Sequence, residues 1–342
     1  MPCHFLPMMS RLLLLFACFN PSWCLQRSRE IQKQPQAHSL SRYRADFLSS
    51  VRSARDAKGI VLESGYDANA AQLFSEKFTT VQENAFGGKT WNVSLNSFSW
   101  NVVQSSSIHN EFWSQVNSQM WEMSTYRHFL QFVNSKTTLV DFGTWIGPTI
   151  LFGGQFASRT FGIEGDPVAY AEALVNVQLN KGKLRNVHLQ PACVSLSREI
   201  QTMHSASAGN SCSTIGEVDS PCGKPAVSWK VQCYGLPYLF KHWKIDVNAD
   251  TFVKIDVESF ECHLLPGLAS LLLQSAHKPT LHVAMHSQVK RCTKVQYDAI
   301  NKVVRAYNFA FCETPVHDKD SFDVSERCHT GELVLSDAMQ PV

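Results

Sequence analysis

Beyond Lys136 the chain alternates short apolar runs with segments of helical period. Thr138–Phe142 (TLVDF) reads as a first strand and Ile150–Ala157 as the helix after it. Thr160–Glu164 reads as a second strand. Asp166 suits a helix N-cap and Pro167 the first helical position, so a helix is expected through Asn180, closed by Lys181 and Gly182. Val187–Leu189, Phe252–Val257 and Leu281–Met285 read as third, fourth and fifth strands, with helices over Cys262–Ser275 and Val295–Tyr307. Phe309–Cys312 and Glu332–Leu335 close the chain as a strand pair. Repeated strand–helix units predict an α/β architecture, a mostly parallel sheet covered on both faces. Two final strands with no helix between them predict an antiparallel edge.

Upstream, apolar residues recur at helical spacing from Ile108 to Phe132, which predicts one long helix or two short ones. Residues 86–105 are rich in Gly, Asn and Ser. Residues 41–85 alternate helix-like stretches with Gly, Asp and Asn breaks, and 25–40 are polar and basic, like a linker. The chain thus divides into 1–24, a linker and N-terminal helical extension over 25–107, and a main domain over 108–342. Residues 194–251 interrupt the alternation with a stretch rich in Ser, Gly, Cys and Pro. Insertions of this length are functional covers or disordered loops. Within it, Val227–Tyr234 has strand character.

The first 24 residues carry a different pattern. Arg11 precedes the apolar run Leu12–Phe19, Asn20 and Pro21 break it, and Ser22 and Cys24 have the spacing of a signal-peptidase site. This predicts a signal peptide and a chain in the secretory pathway, secreted or in the ER or Golgi lumen. The run falls short of the roughly 20 apolar residues that a span needs. No stable membrane span is therefore expected, with an uncleaved signal anchor as the alternative. Charge adds little: 31 basic and 29 acidic residues give +2, so nothing argues for a nucleic-acid partner. Of 11 cysteines, Cys3, Cys18 and Cys24 fall in the leader, and the remaining eight suit disulfides in an oxidising compartment. Cys212 and Cys222 are placed to close a loop, while Cys193 and Cys262 sit in apolar contexts and read as buried small residues. There is no CxxC pair and no zinc spacing, so no metal is expected. Asn92-Val93-Ser94 is a glycosylation sequon, meaningful only in a secreted chain.

The chemistry concentrates at strand ends. The first strand runs into Asp141-Phe142-Gly143-Thr144-Trp145-Ile146-Gly147. Two glycines there let backbone approach a ligand closely, or simply make a tight turn. The turn lacks the third glycine of a dinucleotide fingerprint and the lysine of a P-loop. A ligand without a pyrophosphate is expected, which disfavours a nicotinamide-dependent oxidoreductase. Glu164 ends the second strand, where an acid can accept both hydroxyls of a ribose or cap the next helix. Asp256, Glu258 and Glu261 cluster after the fourth strand, at the edge where open sheets bind ligands. Glu261 also reads as a first-turn helix acid. His286 follows the fifth strand and titrates near neutral pH, so it is the candidate general base or else a hydrogen-bonded structural histidine. His282 and Glu258 are weaker candidates.

In order and spacing, VDFGTWIGPT (140–149), FGIEGDP (161–167) and FVKIDVESFECHLLPGL (252–268) resemble the FkbM family of S-adenosylmethionine-dependent methyltransferases. NVHLQPACVS (186–195), GNSCSTI (209–215) and CYGLPYLFKHWKID (233–246) extend the resemblance, which runs from about Trp121 to Leu335. It implies a Rossmann-like class I methyltransferase fold with a seven-stranded sheet whose last strand is antiparallel. It implies S-adenosylmethionine as cofactor, held by Asp141, Gly143, Thr144 and Gly147 in the first turn. Glu164 would hold the ribose, Ser195 would lie near adenine, and Asp256 near the methionine end. Asp256 and His286 are then the catalytic candidates, and the acceptor a sugar hydroxyl or similar small polar molecule or glycan. The chain departs from the family in having Ser259 where Gly is usual and Ala284 where a carboxylate is frequent. These departures favour the alternative of a non-catalytic binding or accessory protein that keeps the fold.

Overall fold

The computed structural model describes residues 65–215, 223–258, 260–274, 277–286, 292–328 and 331–337. The expected signal peptide and linker, Cys222 and Ser259 lie outside the described residues.

Helix α1 (Ala68–Phe86) begins at Asp67, whose carboxylate accepts from the Ala70 N–H. Strands β1 (Thr90–Leu95) and β2 (Phe98–Val103) follow as an antiparallel hairpin. No strand was expected in this polar stretch. Asn96 takes the left-handed conformation, φ 53°, that a two-residue hairpin turn requires and Asn tolerates. Asn92 of the sequon is exposed on β1. The 108–132 periodicity resolves into two helices, α2 (Ser107–Asn117) and α3 (Met123–Phe132). Gln119 and Glu122 between them hold φ values of 59° and 39°, which a continuous right-handed helix does not allow.

The alternating region gives β3 (Thr138–Phe142), α4 (Pro148–Gly153), β4 (Arg159–Glu164), α5 (Pro167–Leu179) and β5 (Val187–Pro191). Asp166 caps α5 by accepting from the N–H groups of Val168 and Ala169. Next come β6 (Cys193–Ser195), β7 (Glu199–Ser205), β8 (Thr214–Ile215) and β9 (Val227–Gly235), which pair as a separate sheet in the order β6-β9-β7-β8. The described part of the insertion is thus a folded cover. The chain continues with α6 (Leu236–His242), β10 (Thr251–Ile255), α7 (Glu261–Gln274), β11 (Thr280–Met285) and α8 (Lys294–Ala306). It closes with β12 (Phe309–Cys312), β13 (Thr314–Pro315), α9 (Val324–Arg327) and β14 (Gly331–Ser336).

The main sheet has the order β13-β12-β14-β11-β10-β3-β4-β5. From β11 to β5 the strands run parallel, whereas β14 is antiparallel to both β11 and β12. Setting aside the two-residue β13, this is a seven-stranded, mostly parallel sheet of Rossmann-like α/β type. Its antiparallel strand is the last in the chain. That strand sits one position in from the edge rather than at it, because β14 pairs with β11 on one side and β12 on the other.

Side chains alternate between the two faces of the sheet. Leu139 and Phe252 pack with α2, α3, α4 and the hairpin, while Val140, Val253, Leu281 and Val283 pack with α6, α7 and α8. A third cluster joins Phe74, Phe78 and Tyr170 of α1 and α5 to Trp229 and Val231 of the cover. No helix among the described residues is long and apolar enough to cross a membrane.

Cys193–Cys233, Cys262–Cys292 and Cys312–Cys328 are disulfides. This corrects the expectation that Cys193 and Cys262 are simply buried small residues. Cys193 lies opposite Cys233 in the parallel β6–β9 pair, and an apolar setting suits a half-cystine as well as a thiol. Such bonds suit an oxidising environment. The Cys312–Cys328 bridge spans a sequence separation of 16. A loop of that size restricts the unfolded chain by about 3 kcal/mol. The Cys312→Ser/Cys328→Ser double variant should lose about that much stability in urea unfolding. An unchanged midpoint would show that the bridge contributes nothing.

Candidate functional site

The carboxyl ends of β3, β4 and β10 open on a cleft of about 190 Å³. The turn after β3 shapes its floor. Gly143 has φ 81°, and a Cβ there would collide with the carbonyl oxygen of Asp256, so only glycine lets the ends of β3 and β10 meet. Thr144 donates its N–H and its hydroxyl to the Ile163 carbonyl, at 3.0 Å and 2.8 Å. Gly147, with φ 98°, starts α4 ahead of Pro148.

Glu164 lies at the cleft wall at the end of β4. Its carboxylate accepts from the N–H groups of Trp145 and Asp166, both at 2.7 Å. Burial pushes its pKa up to about 8, against the pull of those two donors.

Asp141 is fully buried and does not line the cleft. It accepts from the Thr149 hydroxyl and lies 3.4 Å from the Lys254 ammonium. Lys254 also reaches Asp256 at 2.9 Å. Burial disfavours the ammonium, and the two carboxylates overcome it, holding the lysine pKa above its ordinary value. Asp256 goes the other way: Lys254, and then His286, outweigh burial and hold it below the usual carboxylate range.

His286 lines the cleft with its ring pinned on both sides. Nδ1 donates to Glu261 at 3.0 Å, while Nε2 lies 3.4 Å from Asp256 and 3.6 Å from Glu258. Burial alone would lower its pKa. The hydrogen bond and charge of Glu261, with the charges of Asp256 and Glu258, push it up to about 10, so the free protein carries an imidazolium at neutral pH. Glu261 is therefore more than a first-turn acid, and it also accepts from the Val257 N–H. Glu258 faces the cleft at φ 51°, and burial pushes its carboxyl up to about 8.

The cover forms the opposite wall with Asn210, Ser213 and Thr214. Asp166 anchors it by accepting from the Gly209 N–H at 2.8 Å and the Ser213 hydroxyl at 2.7 Å. The Gly209 carbonyl accepts from the indole of Trp145 and the ring of His109, and Thr214 donates to the Glu258 carbonyl. Ser195 stands apart. It is buried on β6 and donates to Glu199, while Ala192, Cys193 and Val194 form the wall beside it. His282 is also buried away from the cleft.

A second groove, about 470 Å³, shares Glu122 and His286 with the cleft and adds Arg127, Glu313 and Glu332. Ala284 lies on its wall, and Glu332 of β14 is the direct cross-strand partner of Ala284. A carboxylate thus stands beside that alanine from the neighbouring strand.

Of the residues singled out from sequence, Gly143, Thr144, Glu164, Asp256, Glu258 and His286 meet in the cleft, whereas Asp141, Gly147 and Ser195 lie behind its surface. Lys254 went unremarked, although a lysine inside the apolar run FVKIDV was a legible signal. Glu122 and Glu332 carried none.

No protein-family model matches the chain, and no curated protein sequence matches it. Similar solved structures include methyltransferase FkbM from Methylobacillus flagellatus KT, 14% identical over 78% of this chain and 60% of that chain, with a TM-score of 0.34. A SAM-dependent methyltransferase from Streptococcus mutans is 11% identical over 72% of this chain and 55% of that one, with a TM-score of 0.35. The methyltransferase SMU.776, complexed with SAH, is 10% identical with the same coverage and TM-score. The chain thus spans 55–60% of the length of these structures.

The His286 environment has a measurable consequence. Its folded pKa lies above its unfolded value of 6.5, so its contribution is complete below that pH and is lost as pH rises through about 10. Wild type should therefore lose thermal stability relative to His286→Gln over this interval. Parallel melting curves for the two proteins across the interval would contradict the charged-ring assignment.

Proposed function

We propose that the chain is an S-adenosylmethionine-dependent methyltransferase of FkbM type. The proposed acceptor is an oxygen of a small polar molecule such as a sugar or glycan, in the secretory pathway. The observation that carries this reading is the meeting of the Gly143 turn, Glu164 and Asp256 in one cleft at the carboxyl edge of a class I sheet. These residues fit the cofactor. Gly143 lets the ends of β3 and β10 close into the cleft floor, Glu164 offers carboxylate oxygens to a ribose diol, and Asp256 can accept from an ammonium. S-adenosylmethionine, when bound, supplies an activated methyl group. The chain's part is to hold it and the acceptor in line, which can provide much of the acceleration. Asp141 contributes through Lys254, and Thr144 and Gly147 by fixing the turn.

The neighbouring groove supports a polyhydroxylated acceptor. Glu122, Glu313 and Glu332 can accept from hydroxyls, and Arg127 can donate to ring or hydroxyl oxygens. The disulfides support an oxidising compartment. An oxygen acceptor must also lose its proton. A base works best with a pKa near the working pH. His286, held charged, suits the task less well than Glu258, which is raised to about 8 and faces the cleft. His286 then orients Glu258 and Asp256 by its charge.

The cofactor assignment is tested with S-adenosylhomocysteine by calorimetry. Glu164→Ala should weaken binding by about 1–3 kcal/mol. Because a diol donates to the ionised carboxylate, wild-type affinity should rise as pH climbs through about 8, and the variant should lose that dependence. Equal affinities and flat profiles would remove Glu164 from the site.

The base is tested by methyl transfer from labelled cofactor to a panel of monosaccharides and glycans. Glu258→Gln should lower turnover by roughly 10²–10⁴-fold with little change in S-adenosylhomocysteine affinity. Wild-type turnover should level off above pH about 8. A rate that keeps rising to about pH 10 would assign the proton to His286 instead.

A further inference from the structure

Behind the acceptor groove, three side chains from distant parts of the sequence converge. His128 comes from α3, His282 from β11 and Glu332 from β14. Glu332 Oε2 lies 3.3 Å from His128 Nδ1 and 3.6 Å from His282 Nε2. The three ligand atoms all fall within 4.8 Å of one another. The histidines are buried, with His282 only 1% exposed. His128 Nδ1, both ring nitrogens of His282 and Glu332 Oε2 make no hydrogen bond among the described groups. Buried polar atoms are nearly always partnered, and three of these, His128 Nδ1, His282 Nε2 and Glu332 Oε2, face a common point and call for an occupant.

We infer that His128, His282 and Glu332 form a binding site for a first-row divalent cation of the zinc type. Two imidazoles and a carboxylate are a donor set that such ions accept. Tetrahedral bonds of about 2.0–2.1 Å set ligand atoms about 3.3–3.4 Å apart, close to the two separations seen here. Lys254 is the opposing charge, one strand over from His282, but Asp141 and Asp256 hold it at 3.4 Å and 2.9 Å. Three protein ligands leave a fourth tetrahedral position. Glu332 lines the groove, so the ion would tie α3 to the β11–β14 pair at the groove wall. The inference stands independently of the methyl-transfer reading.

The test uses the full chain, stripped with a chelator and titrated with Co²⁺. One equivalent should bind with the visible absorption of a four-coordinate N/O site, and Zn²⁺ should displace it. Outer-shell partners alone are worth roughly 10–100-fold in affinity, so His282→Gln and Glu332→Gln should each cost at least that much. Glu258→Gln, at the other His/carboxylate cluster, should leave the titration unchanged. Circular dichroism checks that each variant folds. If His282→Gln does not, the zinc-edge anomalous signal of crystalline wild type still locates the ion. Failure of stripped wild type to bind one equivalent would overturn the site. So would unaltered binding in His282→Gln and Glu332→Gln, or loss on Glu258→Gln, which would move the ion to Asp256, Glu258 and His286.

Discussion

A lysine ammonium buried in the middle of a sheet is tolerable only while carboxylates hold it. Lys254 lies in register between Asp141 and His282, so all three side chains share one face of the sheet. Its contacts with Asp141 and Asp256 bind β10 to β3 and to the strand end that enters the cleft. Thr149, in the first turn of α4, donates to the other Asp141 oxygen and so seats that helix on the same charge group. The Gly143 turn lies against the Asp256 backbone, whose N–H donates to the Phe142 carbonyl. A side chain at 143 would therefore push on the residue whose carboxylate Lys254 holds. The floor of the cleft and the interior of the sheet are one electrostatic unit.

The cover depends on a second buried carboxylate. One oxygen of Asp166 caps α5, and the other holds Gly209 and Ser213. Trp229 donates to the Gly165 carbonyl, and Tyr66 to that of Glu164. The β4–α5 junction that presents Glu164 is thus also where the cover is tied down. Position of the cover and geometry of the site are coupled through this junction and through the Trp145–Gly209 and Thr214–Glu258 bonds.

The main sheet was legible because its strands are short apolar runs ended by Gly, Asp or Glu, and because Asp166-Pro167 marks a helix start. Harder to see were features that depend on partners distant in sequence. The β1–β2 hairpin is stabilised by burying Val93, Leu95 and Trp100 against helices, which local polarity conceals. The Cys193 disulfide depends on β6 pairing with β9, and the Cys262 disulfide on α7 lying beside the start of α8. The candidate site was legible where motif residues follow strands, at Gly143, Glu164, Asp256 and His286. The resemblance implied that Ser195 lies near adenine. The chain there has already turned into β6, and the hydroxyl donates to Glu199 instead.

Ala284 shows why a missing motif residue is weak evidence about chemistry. On a pleated surface the space beside a side chain belongs equally to the residue directly opposite on the next strand. Because β14 enters between β11 and β12, Glu332 lies opposite Ala284. Its carboxylate extends toward His128 and His282 on one side and lines the groove on the other. A large acid at 284 would compete with Glu332 for the same volume and bring a second negative charge beside it. An alanine leaves that volume to a carboxylate from the neighbouring strand. Read along β11 alone, the position looks like a lost function. Read across the sheet, the acid is present and held by different neighbours.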